Sequence, residues 1–235
     1  NLPKSLGGIV LSAVFIISMS ACGTTEPSSS ASSLSEAKAL KITDITGRTV
    51  EFDEAPERIV LGEGRALFAT SILNHEKPFN NVVAMGNDLK KVPPFYNKLE
   101  KSHPELTEVP TIGAIAKGDV TVENLISYDP DVVIITKDHY DAAQGTGLIQ
   151  KMDDTGIKYL VTDFRQHPLE NTTKSVEIFG QVFDREEEAK AFNKNWTKVV
   201  EGVKEKVANT KIKPRTFLWR AAGQADCCMS FNKSN

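Results

Sequence analysis

The sequence predicts an α/β fold, in which a mostly parallel β-sheet carries helices on both of its faces. Two observations support this fold class. Short apolar segments that suit strands alternate along the chain with amphipathic segments that suit helices, and Gly or Pro residues separate them. An alternation of this kind builds parallel sheets whose ligand-contacting loops lie at the carboxyl ends of the strands.

The first folded segment, Leu40–Phe52, alternates apolar and polar residues around Thr46–Arg48, which predicts a β-hairpin. A short apolar strand is predicted next at Arg58–Leu61. The residues Gly62–Gly64 then separate this strand from a predicted helix at Arg65–Asn74. Four apolar residues of that helix are predicted to face the core: Leu67, Phe68, Ile72 and Leu73.

The middle of the sequence continues the alternation. A helix is predicted at Thr121–Tyr128, with the threonine as its cap, and another at Leu148–Asp154, which stops at Gly156. Pro168 is predicted to open a further helix, because a proline in the first turn loses no hydrogen bond. The strands predicted between these helices are Asn81–Met85, Asp131–Thr136 and Ile157–Thr162.

A longer helix is predicted at residues 184–210. Asp184 and Glu187 have the spacing of a capping box, and apolar residues then recur every three or four positions. A helix of about 25 residues is roughly 37 Å long at 1.5 Å per residue, so this helix exceeds every other one predicted. Its apolar positions are Ala189, Phe192, Trp196, Val199, Val203 and Val207.

The last apolar segment, Thr216–Trp219, is predicted to be a strand. No later strand or helix is predicted to pack with it, and the sequence begins at Asn1 rather than at Met. We therefore expect the chain to be cut near Asn235, within a second sheet.

An N-terminal export signal is predicted at residues 1–22. Lys4 precedes an almost wholly apolar run, Leu6–Met19, and Ser20–Cys22 places small residues directly before a cysteine. This pattern resembles the bacterial lipobox, so Cys22 is the predicted lipidation site. The apolar run is shorter than the roughly 20 residues needed to cross a bilayer. The alternative is an ordinary secretory peptide that is cut nearby.

Residues 23–39 are predicted to form a flexible tether. The segment Gly23–Ser35 is rich in Ser and Thr and contains little that could be buried. A flexible coil of this length has a root-mean-square reach of about 20 Å, enough to hold a domain just off a membrane surface. The protein is therefore predicted to be exported and lipid-anchored to the cell membrane, facing the periplasm or the outer surface.

Charge and cysteine content narrow the possible functions. The 235 residues carry 28 Lys and Arg against 31 Asp and Glu, a formal net charge of −3, so no nucleic-acid partner is expected. Three cysteines are too few to define a disulfide framework. The adjacent Cys227 and Cys228 could form a strained vicinal disulfide or remain as buried thiols.

Several short motifs occur in a fixed order along the chain: Asp44–Arg48, Pro56–Val60, Tyr128–Ile135 and Asp153–Ile157, followed by the long helix. In this order, the sequence from about Ile42 onward resembles the helix-backbone (class III) periplasmic substrate-binding lipoproteins of ABC importers for ferric siderophores, haem and cobalamin. The motifs are individually short, and their order and spacing carry the resemblance.

The resemblance implies two α/β lobes joined by one rigid helix, with ligand held between the lobes. Residues 40–183 would form the first lobe, residues 184–210 the connecting helix, and residues 211–235 the start of a second lobe that is largely missing. The implied function is to capture an iron(III) chelate and deliver it to an ABC permease in the inner membrane with its ATPase. Neither enzymatic activity nor a tightly bound cofactor is expected, and the protein is expected to be a monomer.

Sites for iron(III) chelates favour Arg, Tyr and other aromatic side chains, because such chelates are usually anionic and rich in oxygen. Arg65 follows a strand end, where a guanidinium can hold an anion through two parallel hydrogen bonds. Tyr96 is assigned to a Pro-rich loop, and His139 could complete a metal shell. Each residue could instead be an ordinary core, interface or ion-paired side chain. The candidate ligand-contacting residues are Arg65, Tyr96, Tyr140, Arg165, Trp219 and Arg220.

Other functions have weaker support. Haem, cobalamin or a bare divalent metal could be the ligand, but a bare metal needs converging ligands and the four histidines are far apart in sequence. An exported hydrolase would be expected to show a His-Glu-x-x-His helix or a Gly-x-Ser-x-Gly elbow, and the sequence contains neither. The Gly62–Gly64 segment suggests dinucleotide binding, but Leu67 stands where the third glycine is needed.

Overall fold

The computed structural model of the protein describes residues 39–211. The predicted lipidation site Cys22, most of the tether, and the strand Thr216–Trp219 with Arg220 lie outside the described residues. The Cys227–Cys228 pair lies outside them too. These assignments therefore stay predictions.

Two sheets are present in residues 39–211. An antiparallel hairpin pairs β1 (Leu40–Thr43) with β2 (Thr49–Phe52), as the sequence predicts. A five-stranded parallel sheet has the order β5-β4-β3-β6-β7. Its strands are β3 (Ile59–Leu61), β4 (Val82–Gly86), β5 (Thr111–Ile112), β6 (Val132–Thr136) and β7 (Tyr159–Thr162).

The helices alternate with these strands, which confirms the predicted α/β class. Helix α2, helix α4 and strand β5 were not predicted from the sequence. The described α-helices are α1 (Leu67–Leu73), α2 (Pro93–Ser102), α3 (Val122–Ile126), α4 (Lys137–Gly145), α5 (Leu148–Thr155), α6 (Pro168–Val182) and α7 (Glu186–Ala208).

Each face of the parallel sheet is covered by its own layer of helices. Along β6, Val132 and Ile134 join a core shared with α1 and α6, whereas Val133 and Ile135 join a second core shared with α3, α4 and α5. Successive strand residues point to opposite faces, so a strand buried on both sides is an almost continuous apolar run. Fully burying such a side chain stabilises the fold by about 1.5–3 kcal/mol relative to exposing it.

The predicted helix ends are mostly confirmed. Thr121 Oγ1 accepts a hydrogen bond from the Asn124 amide at 3.2 Å, which satisfies an N–H that the first turn of α3 leaves free. Gly156 ends α5 with a φ of 75°, a left-handed conformation that glycine adopts at little cost. Pro168 is the first residue of α6.

The predicted capping box of the long helix is wrong. Helix α7 begins at Glu186, and Asp184 has a φ of 54°, which places it in a left-handed turn rather than at a cap. The Arg185 amide donates instead to the Gly180 carbonyl at 2.7 Å. A Cβ atom on Gly180 would lie 2.6 Å from Cβ of Ala189, so the glycine allows α6 and α7 to pack closely.

The predicted core face of α1 is also partly wrong. Leu67 and Leu73 are buried, but Phe68 is 44% exposed and Ile72 is 49% exposed. On α7, Ala189 is buried, whereas the side chains of Val199, Val203 and Val207 are more than half exposed. Among the described residues, no helix is both long enough and apolar enough to cross a bilayer.

Candidate functional site

The candidate site lies where the central parallel strands end. Strand β3 leads into Gly62–Gly64, β6 ends at Thr136, and β7 leads into the loop that carries Arg165. The loops are closely packed here, since a Cβ atom on Gly64 would lie 2.5 Å from the Gly86 carbonyl oxygen. Ligands of open α/β sheets bind at this edge.

Glu63 is the centre of a hydrogen-bond cluster at this edge. Its side chain is only 2% exposed, yet four side chains contact its carboxylate. Thr136 Oγ1 donates to Oε2 at 2.6 Å, and Arg65 Nη2 donates to Oε1 at 2.7 Å. Arg165 donates to both oxygens, at 2.9 and 3.1 Å. His139 Nε2 lies 3.3 Å from Oε1.

Arg65 is held by a second carboxylate. Its Nε donates to Asp88 Oδ2 at 2.8 Å, and the same aspartate accepts the Gly64 amide at 2.6 Å. The carboxylates of Glu63 and Asp88 thus fix the guanidinium from two sides. The Arg65 side chain is still 42% exposed, so it remains reachable from solvent.

Arg165 is also shared between two carboxylates. Besides its contacts with Glu63, its Nη2 donates to Asp138 Oδ1 at 2.6 Å. Burial opposes ionisation of both partners, but their hydrogen bonds and mutual attraction outweigh it. These interactions lower the pKa of Asp138 and raise the pKa of Arg165.

A second buried carboxylate, that of Asp163, positions Arg165. Asp163 Oδ1 accepts the amides of Arg165 and Gln166 at 2.9 and 2.8 Å, and Oδ2 accepts the His167 amide at 2.9 Å. Asn171 Nδ2 also donates to Oδ2 at 2.9 Å. Burial opposes ionisation, but the Asn171 side chain and the three amides lower the pKa of Asp163. The loop that presents Arg165 is therefore fixed by its own backbone.

His139 lies beside Glu63, and its expected role in completing a metal shell stays a prediction. Residues 39–211 hold no group of three or more His, Cys, Asp or Glu side chains that could bind a metal ion. Glu63 instead faces one ring nitrogen of His139. The other nitrogen, Nδ1, is buried and has no hydrogen-bond partner in the described part of the chain.

A pocket of about 380 Å³ opens beside the cluster. Most of its wall is apolar. Its polar lining residues are Glu63, Arg65, Thr136, Thr162, Arg165 and Thr172. The rings of Phe192 and Trp196 on α7 lie 6.2 Å apart and nearly parallel. The main apolar side chains of the wall are Phe68, Ile72, Phe164, Val176, Phe192 and Trp196.

The structure brings Arg65 and Arg165 together, as their positions after two strands predict, and places His139 beside them. Tyr96 is in helix α2, not in a loop, and packs against the core on the face of α1 and α6. Tyr140 packs on the opposite face, 6.2 Å from the Tyr159 ring. Neither tyrosine lines the pocket, and their contact with ligand stays a prediction.

Sequence reasoning missed the acidic side chains of the cluster: Glu63, Asp88 and Asp138. Two local signals were available, since Glu63 lies between two glycines after a strand and Asp138 adjoins His139. The sequence pattern also assigned Phe68 and Ile72 to the core, although both side chains line the pocket. Their spacing on the helix is the same for a core face and for a pocket wall.

The sequence model of the periplasmic binding protein family matches residues 84–231, more than half of the chain. The chain therefore belongs to the periplasmic binding protein family, whose members bind solutes and act outside the cytoplasm. None of the curated proteins matches this sequence significantly.

Solved structures show the same fold. A TroA-like periplasmic binding protein, FepB from Veillonella parvula, has a TM-score of 0.68 at 30% identity over 74% of this chain and 51% of its own. The molybdate periplasmic binding protein MolA from Haemophilus influenzae, bound to molybdate, scores 0.55 at 17% identity over 72% and 54%.

The siderophore binding protein BauB, bound to two acinetobactin molecules and ferric iron, has a TM-score of 0.52 at 18% identity over 74% of this chain and 56% of its own. This chain thus spans about half the length of the solved structures that it matches. At identities below 25%, the likeness to BauB and MolA concerns the fold alone.

Proposed function

We propose that this protein is the extracytoplasmic solute-binding component of an ABC importer, which captures an iron(III) chelate and delivers it to a membrane permease and its ATPase. Family membership supports this role, because periplasmic binding proteins bind solutes and work with such permeases. The pocket at the carboxyl edge of the parallel sheet is the proposed binding surface, and a lipid on Cys22 is its proposed membrane anchor.

The composition of the pocket wall is the main support for a chelate as the ligand. Its wall combines two guanidinium groups, from Arg65 and Arg165, with the aromatic side chains of Phe68, Phe164 and Trp196. Organic ligands bind in clefts of about 300–1,000 Å³ that are mostly apolar and contain a few placed polar groups. An organic chelate that surrounds its iron with oxygen atoms offers both apolar surface and hydrogen-bond acceptors to such a wall.

Smaller ligands fit this wall less well. A bare oxyanion such as molybdate has no apolar surface to place against Phe68, Phe192 or Trp196. A bare divalent cation needs converging carboxylate or imidazole ligands, and residues 39–211 hold no such group. MolA binds molybdate with the same fold, so the fold does not distinguish these ligands. The apolar composition of this pocket wall is what favours a chelate over a bare oxyanion.

Haem or cobalamin is the second candidate. Both ligands present a broad ring system, and the nearly parallel rings of Phe192 and Trp196 offer a matching apolar surface. An exported hydrolase is disfavoured, because the family and the fold are those of binding proteins.

Tryptophan fluorescence tests the proposal, because one of the two tryptophans of the chain, Trp196, lines the pocket. The full-length protein is titrated with ferric hydroxamate and catecholate complexes, haem, cobalamin and molybdate. We expect saturable quenching by at least one ferric chelate, with a dissociation constant of about 1 μM or less. Calorimetry measures the same affinities independently.

Trp196→Phe is the matched control, since it keeps an aromatic ring in the wall. It should reduce the quenching amplitude while calorimetry shows nearly unchanged affinity. Selective binding of haem would favour the second candidate, and binding of molybdate alone would contradict the chelate proposal. If no member of the panel releases heat or quenches fluorescence, the proposed function is wrong.

A further inference from the structure

Both arginines of the pocket are already engaged by carboxylates. Arg65 donates to Glu63 and Asp88, and Arg165 donates to Glu63 and Asp138. Neither guanidinium is therefore an isolated positive charge of the kind that would favour a strongly anionic ligand.

The formal charges of this cluster do not sum to a positive value. Three carboxylates, those of Glu63, Asp88 and Asp138, contact only two guanidinium groups. Among these five side chains, the carboxylates exceed the guanidinium groups by one. Glu63 is the most deeply buried of the three carboxylates, and its contacts with Thr136 and His139 hold it in place.

We propose that Glu63 acts as a built-in counter-anion, which makes the pocket select iron(III) chelates of low negative, neutral or positive charge over multiply anionic ones. This inference rests on the proposed function, since it assumes that the pocket binds a chelate. It names Glu63 as a specificity-determining residue of that pocket.

The expected selectivity arises because an anionic chelate and the Glu63 carboxylate compete for the same two guanidinium groups, those of Arg65 and Arg165. A multiply anionic chelate that approaches Arg65 and Arg165 is repelled by the Glu63 carboxylate, which lies 2.7 and 2.9 Å from their nitrogen atoms. The low dielectric of a partly buried site strengthens this repulsion. A neutral chelate avoids it, because each guanidinium has five N–H bonds and can still donate some of them to carbonyl or hydroxamate oxygens.

Glu63→Gln tests the inference by removing the charge while keeping the shape of the side chain. Three probes differ in net charge: the triply negative iron(III) complex of a tris-catecholate, a neutral complex of a cyclic tris-hydroxamate, and the singly positive complex of desferrioxamine B. Calorimetry on the full-length protein measures each affinity before and after the substitution.

We expect the unsubstituted protein to bind the neutral or positive complex more tightly than the triply negative one. Glu63→Gln should raise the affinity for the triply negative complex by about tenfold relative to the positive complex, since both guanidinium groups lose a charged partner. Glu51→Gln is the charge-matched control, because Glu51 lies on the hairpin and pairs with Lys41. It should leave the affinity ratio unchanged.

Asp138→Asn provides a second test if Glu63→Gln fails to fold. Asp138 is 40% exposed and contacts only Arg165 of the two arginines, so its loss should shift the ratio in the same direction by a smaller factor. A ratio that changes less than twofold in the folded variants would overturn the inference. Tighter binding of the triply negative complex by the unsubstituted protein would overturn it while leaving the proposed function intact. If no probe binds to any variant, the proposed function and this inference both fail.

Discussion

Two buried carboxylates at the same edge of the sheet, Glu63 after β3 and Asp163 after β7, have very different partners. Both residues are 2% exposed. Asp163 accepts hydrogen bonds from three consecutive backbone amides of its own loop. Glu63 accepts hydrogen bonds from side chains that belong to three different segments.

This difference separates a structural carboxylate from one that belongs to a binding site. Backbone amides cannot leave Asp163 without unfolding the loop, so this carboxylate fixes the position of Arg165. Side chains such as Arg65 and Arg165 can change partners by rotation, so the surroundings of Glu63 can adapt to a ligand. Substitutions of the two carboxylates should accordingly affect different measured quantities.

The largest expected effect is on stability. Asp163→Asn should lower the free energy of unfolding by about 3 kcal/mol, because a charged acceptor is lost and the new NH₂ group opposes N–H donors. Glu63→Gln should cost only about 1 kcal/mol, since its arginine partners are partly exposed and keep Asp88 and Asp138. Urea unfolding measures both values. Equal losses would contradict the distinction.

The stability contribution of Asp163 should depend on pH. The folded protein lowers the pKa of this group, so its contribution is fully present above the unfolded value of about 4 and is lost as pH falls through the folded pKa. The difference in unfolding free energy between the unsubstituted protein and Asp163→Asn should therefore be constant near neutral pH and shrink below about pH 4. A difference that does not change between pH 7 and pH 3 would contradict this assignment.

The next effect concerns binding rather than stability. Arg65→Ala should weaken binding of the preferred ligand by about tenfold or more, since a charge-assisted hydrogen bond contributes roughly 1.5–3 kcal/mol. Arg58→Ala is the control, because Arg58 lies at the opposite end of β3, where it donates to the Asp129 and Tyr128 carbonyls. An Arg65→Ala affinity within twofold of the parent would show that this arginine does not contact ligand.

Two hydroxyl deletions should have smaller effects on stability than Asp163→Asn. Ser175 Oγ accepts the Asp163 amide and donates to the Asp163 carbonyl, so Ser175→Ala should cost about 1–2 kcal/mol of stability. Thr136→Val removes one hydrogen bond to Glu63 and should cost less than about 1 kcal/mol. Thermal unfolding measures the loss of stability in each of the two variants. A larger loss for Thr136→Val would mean that the Glu63 cluster also maintains the fold.

The sequence predicted most of the parallel sheet because each strand is a short apolar run with a clear break after it. Two helices were missed for identifiable reasons. Helix α2 begins with two prolines that were read as a loop, although a helix tolerates proline in its first turn. Helix α4 follows β6 directly, and Ala143 is its only fully buried residue in the described structure, so it has little apolar periodicity.

The sequence predicted some residues of the candidate site but not how they come together. Arg65 and Arg165 could be proposed because each follows a strand. Their convergence on Glu63 could not, because it depends on β3 lying beside β6 and β6 beside β7. Strand order is a property of the packed sheet, and no local segment of the sequence specifies it. For the same reason, the spacing on α1 could not show that Phe68 faces a pocket.

Hydrogen–deuterium exchange with and without a bound ferric chelate shows which segments the chelate contacts. We expect slower exchange at the carboxyl edge, in residues 62–68, 136–139 and 163–168, and along the pocket side of α7 near Trp196. The hairpin and the segment around Arg58, at the other end of the strands, should be unchanged. Protection confined to that opposite end, with none at the carboxyl edge, would contradict the proposed binding site.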